Sequence, residues 1–373
     1  MGTVRCADKL QDLVRNHYLK EKDIFFNLIR LGIRHNAEPI LDEVDWTTIE
    51  ALAAKQGLSA IILDGINCLP EIARPPKEVL LQWIGCTLQS YEYRYTSYQK
   101  AIAELAGWYN AHEYKMMVLK GYACSIDWPK PEHRPCGDID IWLFGKQKEA
   151  DALLVKDKGV IVDASHHHHT VFDWGGFMVE NHFDFINVHH HKSNAAFETL
   201  LKKQGQDDSY YVEVEGEKVY LPSPNLHALF LLKHACIEFA ASGLNLRQLL
   251  DWAFFVKAHG RKVEWAWLEN ILEQFGMKRL YNVFNAICVG DLGFDVSLFP
   301  EVQFDSDLKD KVLEEILSPA IANDKPRKLI PRIIWKWHRW RANEWKHKLV
   351  YNESMWSAFW SGVWGHLLKP QSI

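Results

Sequence analysis

Residues 137–142 read Gly137-Asp138-Ile139-Asp140-Ile141-Trp142, and this stretch decides the fold. Its apolar residues alternate with its acids at a period of two, which is the spacing of a β-strand. Alternate side chains of a strand share a face. Asp138 and Asp140 then point together while Ile139 and Ile141 enter a core. Two carboxylates that close repel unless a cation separates them or one is protonated. Mg²⁺ suits the position, because it takes oxygen ligands and shares its shell with substrate phosphates. The pair alone is also what a solvated face or a loop turn produces, so its surroundings must carry the reading.

Working outward, Val179-Glu180-Asn181-His182-Phe183-Asp184-Phe185 repeats the alternation. As one strand it places Glu180, His182 and Asp184 on one face and Val179, Phe183 and Phe185 on the other, with Asn181 as the exception. Beside the first strand it adds a third carboxylate, and three carboxylates can hold two divalent ions. Upstream, Leu119-Lys120-Gly121 ends a short apolar run in a glycine. Glycine there lets backbone approach a phosphate, and N–H groups at the next helix start can cradle it. Arg134 precedes the acidic pair and can neutralise phosphate charge.

The flanks are helical. Asp23 to Ile33 carries apolar residues at helical spacing, Thr47 and Glu50 suggest a capping box, and one long helix is predicted from about Lys77 to about His112. From Tyr114 the pattern turns to short strands, with Lys146–Lys158 as a helix and Glu215-Gly216-Glu217 as a hairpin turn. From Pro222 helices return, at 223–241, 246–259, 265–275 and 277–289. The expected organisation is an N-terminal helical region at 1–112, an α/β core at 113–221 and a C-terminal helical region at 222–373, packed as one α+β body.

Bulk composition excludes several classes. At 373 residues, with 48% hydrophobic and 24% charged residues, the chain is an ordinary globular protein. A net charge of −5 does not suit a surface that binds polyanions throughout. Seven scattered cysteines (Cys6, Cys68, Cys86, Cys124, Cys136, Cys236 and Cys288) include no CxxC pair, which argues for a reducing compartment. The start lacks an apolar signal region, and the longest apolar run, Leu226 to Ala241, is interrupted by Lys233, His234 and Glu238. A cytoplasmic location and no transmembrane segment are expected.

On these residues the chain resembles the DNA-polymerase-β-like nucleotidyltransferase superfamily. Its signature is a strand ending in glycine, a helix, an Asp-apolar-Asp pair and a third acid on a later strand. More closely it resembles a bacterial family of uncharacterised nucleotidyltransferases, whose pattern of LKG, Arg, DIDLL and VExH matches Leu119-Lys120-Gly121, Arg134, Asp138-Ile139-Asp140-Ile141-Trp142 and Val179-Glu180-Asn181-His182. Val44-Asp45-Trp46 and Leu246–Trp252 also match, so the resemblance runs over roughly residues 20–260. It implies a mixed-sheet core and transfer of a nucleoside monophosphate from a nucleoside triphosphate, dependent on Mg²⁺ or Mn²⁺. Asp138, Asp140 and Glu180 are the implied catalytic and metal-binding residues. Lys120, Gly121, Ser125 and Arg134 are the implied nucleotide-binding residues, with His182 and Asp184 auxiliary. Tyr122 stands where the superfamily has Ser or Gly after the glycine, with Ser125 or Lys120 as replacement for the hydroxyl.

Three features lie outside that pattern. Histidines crowd at 166–169, 182 and 189–191, but a run of identical residues at strand ends is not expected to converge on one centre, so no zinc site is assigned. Lys325–Lys348 interleaves Lys and Arg with Trp. It is read as an amphipathic helix whose tryptophans cover the bundle, continued by Trp356, Trp360 and Trp364, with binding to nucleic acid or to an anionic membrane surface as the alternatives. Arg247 and Asp251 suggest a helical i, i+4 ion pair; lining the acceptor side of the cleft, together with His234, is the alternative for them. The acceptor is a small molecule or a protein. The alternatives are a binding or regulatory module that has lost transfer, motivated by Tyr122, and a nucleic-acid-directed transferase.

Overall fold

The acidic strand lies at the centre of a six-stranded mixed sheet in the computed structural model, in the order His169–Trp174, Phe177–His182, Ile139–Trp142, Met117–Val118, Glu217–Tyr220, Tyr211–Val214. The structure describes residues 20–37, 43–189, 191–241, 243–300, 303, 305–319, 326 and 328–360, excepting the side chains of 329, 330 and 333. Cys6, His190, Lys325 and Trp364, and the start of the chain read above for a leader, lie outside them.

Helix α1 (20–32) opens the N-terminal part, followed by α2 (Trp46–Gln56), α3 (Ser59–Asn67), α4 (Lys77–Thr87) and α5 (Tyr93–Ala111). A π-helical segment, Leu88–Glu92, joins α4 to α5, so the single long helix is present with one wide turn in it. The capping box expected at Thr47 is not what starts α2. Asp45 is the N-cap, and its Oδ1 accepts from Thr47 N at 3.1 Å and Thr48 N at 3.2 Å. An aspartate just before the first turn takes the free N–H groups before a threonine within that turn can.

The core follows as β1 (Met117–Val118), α6 (Tyr122–Ser125), β2 (Ile139–Trp142), α7 (Gln147–Lys158), β3 (His169–Trp174), β4 (Phe177–His182), α8 (Lys192–Gln204), β5 (Tyr211–Val214) and β6 (Glu217–Tyr220). Strand β2 runs parallel to β4 and antiparallel to β1, with Asp140 opposite Glu180 and Trp142 opposite His182. The hairpin between β5 and β6 turns through Glu215 and Gly216 at φ 49° and 87°, the positive values a two-residue hairpin turn needs. Strand β4 ends at His182, so Asp184 lies beyond it.

Helices α9 (Pro224–Ala241), α10 (Leu246–His259), α11 (Trp265–Gln274), α12 (Lys278–Gly290), α13 (Ser306–Leu317), α14 (Leu329–Ala342) and α15 (Glu344–Val350) complete the order. The sheet lies between two cores. Ile139, Ile141 and Val179 enter one with Tyr98, Ile102 and Leu105 of α5 and Leu154 of α7. Met117, Leu119 and Trp142 enter the other, with α1–α3 and α9–α13. Asn181, the polar exception on β4, is fully buried and donates to Asp151 Oδ1 of α7 at 2.7 Å. Asp151 also accepts from Thr170 at 2.7 Å, so a polar network replaces an apolar contact, with Asn181 Oδ1 left without a hydrogen-bond partner.

The basic tryptophan-rich segment is helical, but its tryptophans do not all cover the bundle. Trp345 packs at 5.6 Å on Phe239, whereas Trp337, Trp356 and Trp360 are exposed and cluster with Trp340 and Phe359. Among the described residues no helix is long and apolar enough to cross a membrane.

Helix α9 also buries His227, whose ring meets Phe255 at 5.0 Å and Cys124 Sγ at 3.7 Å. Burial pushes this imidazole down to about 3 from its ordinary 6.5. The unfolded chain takes up a proton as pH falls below 6.5 and the folded ring does not until about 3, so falling pH favours unfolding. From pH 7 to pH 5 this costs about 2 kcal/mol. Urea unfolding of His227→Phe at both values should show that much less acid loss than wild type. An equal loss would mean the ring is solvated in the native state.

Candidate active site

The parallel register of β2 and β4 sets Asp140 beside Glu180, and His182 completes the group from the end of β4. One ligand atom from each lies within 4.8 Å of the others. Asp140 is 2% exposed. His182 Nε2 stands 3.3 Å from Asp140 Oδ1 and 3.7 Å from Glu180 Oε2. Lys120, at the end of the run that contains β1, places Nζ 2.9 Å from Asp140 Oδ1. Asp138 begins the same acidic stretch and is half-buried.

Charge balance governs these groups. Burial pushes Asp138 up, and the charges of Asp140 and Glu180 push it further. Burial acts the same way on Asp140, but the Lys120 charge and the His182 hydrogen bond outweigh it and hold the carboxyl below its ordinary range. Burial disfavours a charged His182 ring; its hydrogen bonds to Asp140 and Glu180 prevail and raise it to about 9. Glu180 is held down against its burial by the bond to His182. The donor set of carboxylate oxygens with one imidazole fits a divalent cation, Mg²⁺ or the more nitrogen-tolerant Mn²⁺.

A cleft of about 150 Å³ opens onto this group, lined among others by Lys120, Gly121, Asp138, Asp140, His234 and Arg247. Typical small-molecule sites exceed about 300 Å³, so the cleft has room for part of a nucleotide. Lys120 Nζ donates to His234 Nε2 of α9 at 3.1 Å. That leaves the proton of a neutral His234 on Nδ1, which stands 3.4 Å from Glu238 Oε1. Burial holds His234 well below its ordinary range, so the ring is neutral. Sequence reading placed His234 near the cleft but not as the partner of Lys120; its distance along the chain gave no signal.

Other expected residues are placed differently. Arg134 lines the cleft as expected, but it is buried and donates from Nε and Nη2 to Asp251 Oδ1 and Oδ2 at 2.7 and 2.9 Å. The expected Arg247–Asp251 helical pair does not form, because Arg134 and Trp128 occupy that carboxylate. Arg247 instead lines the cleft, and its Nε has no hydrogen-bond partner. Ser125 is buried, donates to Tyr122 O at 2.8 Å and meets Tyr95 Oη at 2.9 Å, away from the cleft lining. The Tyr122 ring stacks on Tyr95 in the core with α5, so it leaves the cleft clear. Asp184 pairs with Lys202 and stands apart from the central group.

The histidine run departs from expectation too. His168, His169 and His182 bring their ligand nitrogens within 4.8 Å of one another. His169 opens β3 opposite His182 of β4, and strand pairing overcomes the divergence of neighbouring side chains. Burial, reinforced by the neighbouring histidines, lowers His168 to about 2; burial also takes His169 down to about 4, so both are neutral near pH 7.

Residues 42–289 match the family described as "Uncharacterised nucleotidyltransferase". The match begins later than the resemblance read from sequence and runs further, past the end of α10. A crystal structure described as an antigenic nucleotidyltransferase-like protein from Paracoccidioides brasiliensis aligns at 15% identity with a TM-score of 0.31. It covers 43% of this chain and 75% of that one. No protein with a curated description matches.

Gly121 joins the cleft to the core behind it. It adopts φ 55°, and a Cβ there would meet Tyr98 Oη at 2.3 Å. That hydroxyl donates to Asp138 O at 2.9 Å and fixes the entry to β2. Gly121→Ala should therefore destabilise the fold by roughly 1–3 kcal/mol, from backbone strain and displacement of Tyr98. Thermal unfolding measures it, and an unchanged midpoint would show that the turn adapts.

Proposed function

The chain belongs to the uncharacterised nucleotidyltransferase family, and we propose that it moves a nucleoside monophosphate from a nucleoside triphosphate to an acceptor hydroxyl, releasing pyrophosphate. The observation that carries this reading is the register that sets Asp140 against Glu180, with His182 near both, beside a cleft that Asp140 lines together with Asp138, Lys120 and Arg247.

Asp138, Asp140 and Glu180 would hold the divalent cation, with His182 as a further donor once the cation displaces its Nε2 proton. Mg²⁺ or Mn²⁺ bound there would neutralise phosphate charge and make the acceptor hydroxyl easier to deprotonate. The chain's own residues do the positioning. Lys120, held between Asp140 and His234, presents its ammonium to phosphate oxygens entering the cleft. Arg247 has donors to offer a phosphate, whereas Arg134 is engaged with Asp251 and acts at longer range. The Gly121 turn keeps backbone, with no side chain, against the entering group. Little covalent chemistry falls to the protein, so the rate gain comes from positioning and charge neutralisation.

Tyr122 gave the inactive-module alternative its motive. Its ring is buried against Tyr95 and does not block the cleft, which favours transfer. The acceptor is taken to be a small molecule or a protein hydroxyl.

Two measurements test the reading. With α-labelled nucleoside triphosphates, Mg²⁺ and cell extract, the wild type should label an acceptor, and Asp138→Asn/Asp140→Asn should label it roughly 100-fold less or worse. Equal labelling by both proteins would remove the carboxylates from the chemistry. In calorimetry, Arg247→Ala should weaken binding of the Mg²⁺–triphosphate roughly tenfold or more, the worth of one charge-assisted contact. Unchanged affinity would place the phosphates elsewhere in the cleft.

A further inference from the structure

We propose that His168, His169 and His182, with Glu180 as fourth donor, form a binding site for a borderline transition-metal ion such as Zn²⁺. The site neighbours the carboxylate group but differs from it in chemistry. It stands whether or not the chain transfers nucleotides.

Strand pairing builds the site. His169 and His182 are direct partners across the antiparallel pair β3–β4, and their ring centroids lie 5.2 Å apart. His168 is anchored through its carbonyl, which accepts from Phe183 N at 3.1 Å and Asp184 N at 3.0 Å. Its ring lies 4.3 Å from that of His169 and 5.5 Å from that of His182. Three imidazoles from two chain segments therefore face one point, with ligand nitrogens within 4.8 Å of each other. Glu180 Oε2 adds an oxygen 3.8 Å from His169 Nδ1 and 3.7 Å from His182 Nε2.

Two nitrogens there make no hydrogen bond. Nδ1 of His168 and Nδ1 of His169 are buried and have no hydrogen-bond partner, and His169 is only 6% exposed. A buried polar atom left unsatisfied costs about 1–3 kcal/mol. An ion accepting those lone pairs removes the cost. Zn–N bonds of about 2.0–2.1 Å require nitrogens roughly 3.3 Å apart, within reach of small side-chain rotations from the present spacing. Mg²⁺ is a poor occupant, because it prefers six oxygens and gains little from imidazole. His182 and Glu180 belong to both groups, so the nitrogen-rich and oxygen-rich donor sets share an edge; His182 Nδ1 is taken by Asp184 O, and its Nε2 ligates one ion at a time.

Co²⁺ is the probe, because four-coordinate Co²⁺ absorbs far more strongly in the visible than six-coordinate Co²⁺. Full-length protein stripped with EDTA is titrated with Co²⁺ in excess Mg²⁺, and Zn²⁺ is then added. The expected result is an intense d–d band that saturates at one equivalent, resists Mg²⁺ and is abolished by Zn²⁺. His168→Ala/His169→Ala should weaken Co²⁺ binding by roughly 100-fold, whereas His166→Ala/His167→Ala, in the same run, should keep the band. Circular dichroism checks the fold of each variant, and the wild-type titration decides the matter if the first variant does not fold. A wild type with no band, a weak six-coordinate spectrum, or full binding by His168→Ala/His169→Ala would overturn the site. Failure here leaves nucleotide labelling untouched, and failure of labelling leaves the Co²⁺ spectrum untouched.

Discussion

Asp140 and Glu180 face each other across two parallel strands in a largely buried place, and the rest of the site answers the repulsion this creates. With oxygens within 4.8 Å, two negative charges at an effective dielectric constant near 20 repel by roughly 3 kcal/mol. Lys120 at 2.9 Å and His182 at 3.3 Å from Asp140 supply the compensating charge. A sheet that pairs β2 with β4 in this register must either carry those cations or bind others. The same pairing that stores the negative charge therefore fixes which neighbours can be tolerated.

The compensating lysine ties the sheet to the C-terminal helices. Lys120 is bound to His234 of α9, and His234 stands beside Glu238 one turn on. A second tie joins Arg134, just ahead of β2, to Asp251 of α10, with Trp128 on the same carboxylate. Such a buried pair adds little net stability, because desolvation consumes most of its Coulomb energy. Removing one partner is costly, however, so the pair disfavours any arrangement of α10 that leaves Asp251 alone. Helices outside the sheet thereby set the shape of the cleft in front of it.

The sequence made the strand pattern legible because period-two alternation is local: Ile139, Ile141 and Val179 enter one core while Asp140 and Glu180 leave it. The family resemblance and the helical flanks were legible for the same reason. What failed depends on contacts between segments. The i, i+4 rule paired Arg247 with Asp251, but Arg134, distant in sequence, reaches that carboxylate with bidentate geometry and Trp128 assists. Adjacent histidines diverge along one strand, and only β3–β4 pairing brings His169 to His182. Asp184 continued the alternation on paper, yet the strand stops at His182 and Lys202 takes the acid. Ser125 was a candidate by residue type, and Tyr95 and Tyr122 had already engaged its hydroxyl.

Gly121 shows how a single position can serve both the core and the cleft. Read from sequence, it is a place where backbone approaches a phosphate. In the structure it is also the only residue type that leaves room for the Tyr98 hydroxyl, which reaches past it to Asp138 O. Helix α5 thus holds the start of the acidic strand from behind, while Lys120 holds Asp140 from in front. Catalysis by positioning requires charged groups whose supports do not yield as substrate charge arrives. Here the supports are partly buried polar contacts from opposite sides of one strand, so relaxing either side would move the carboxylates.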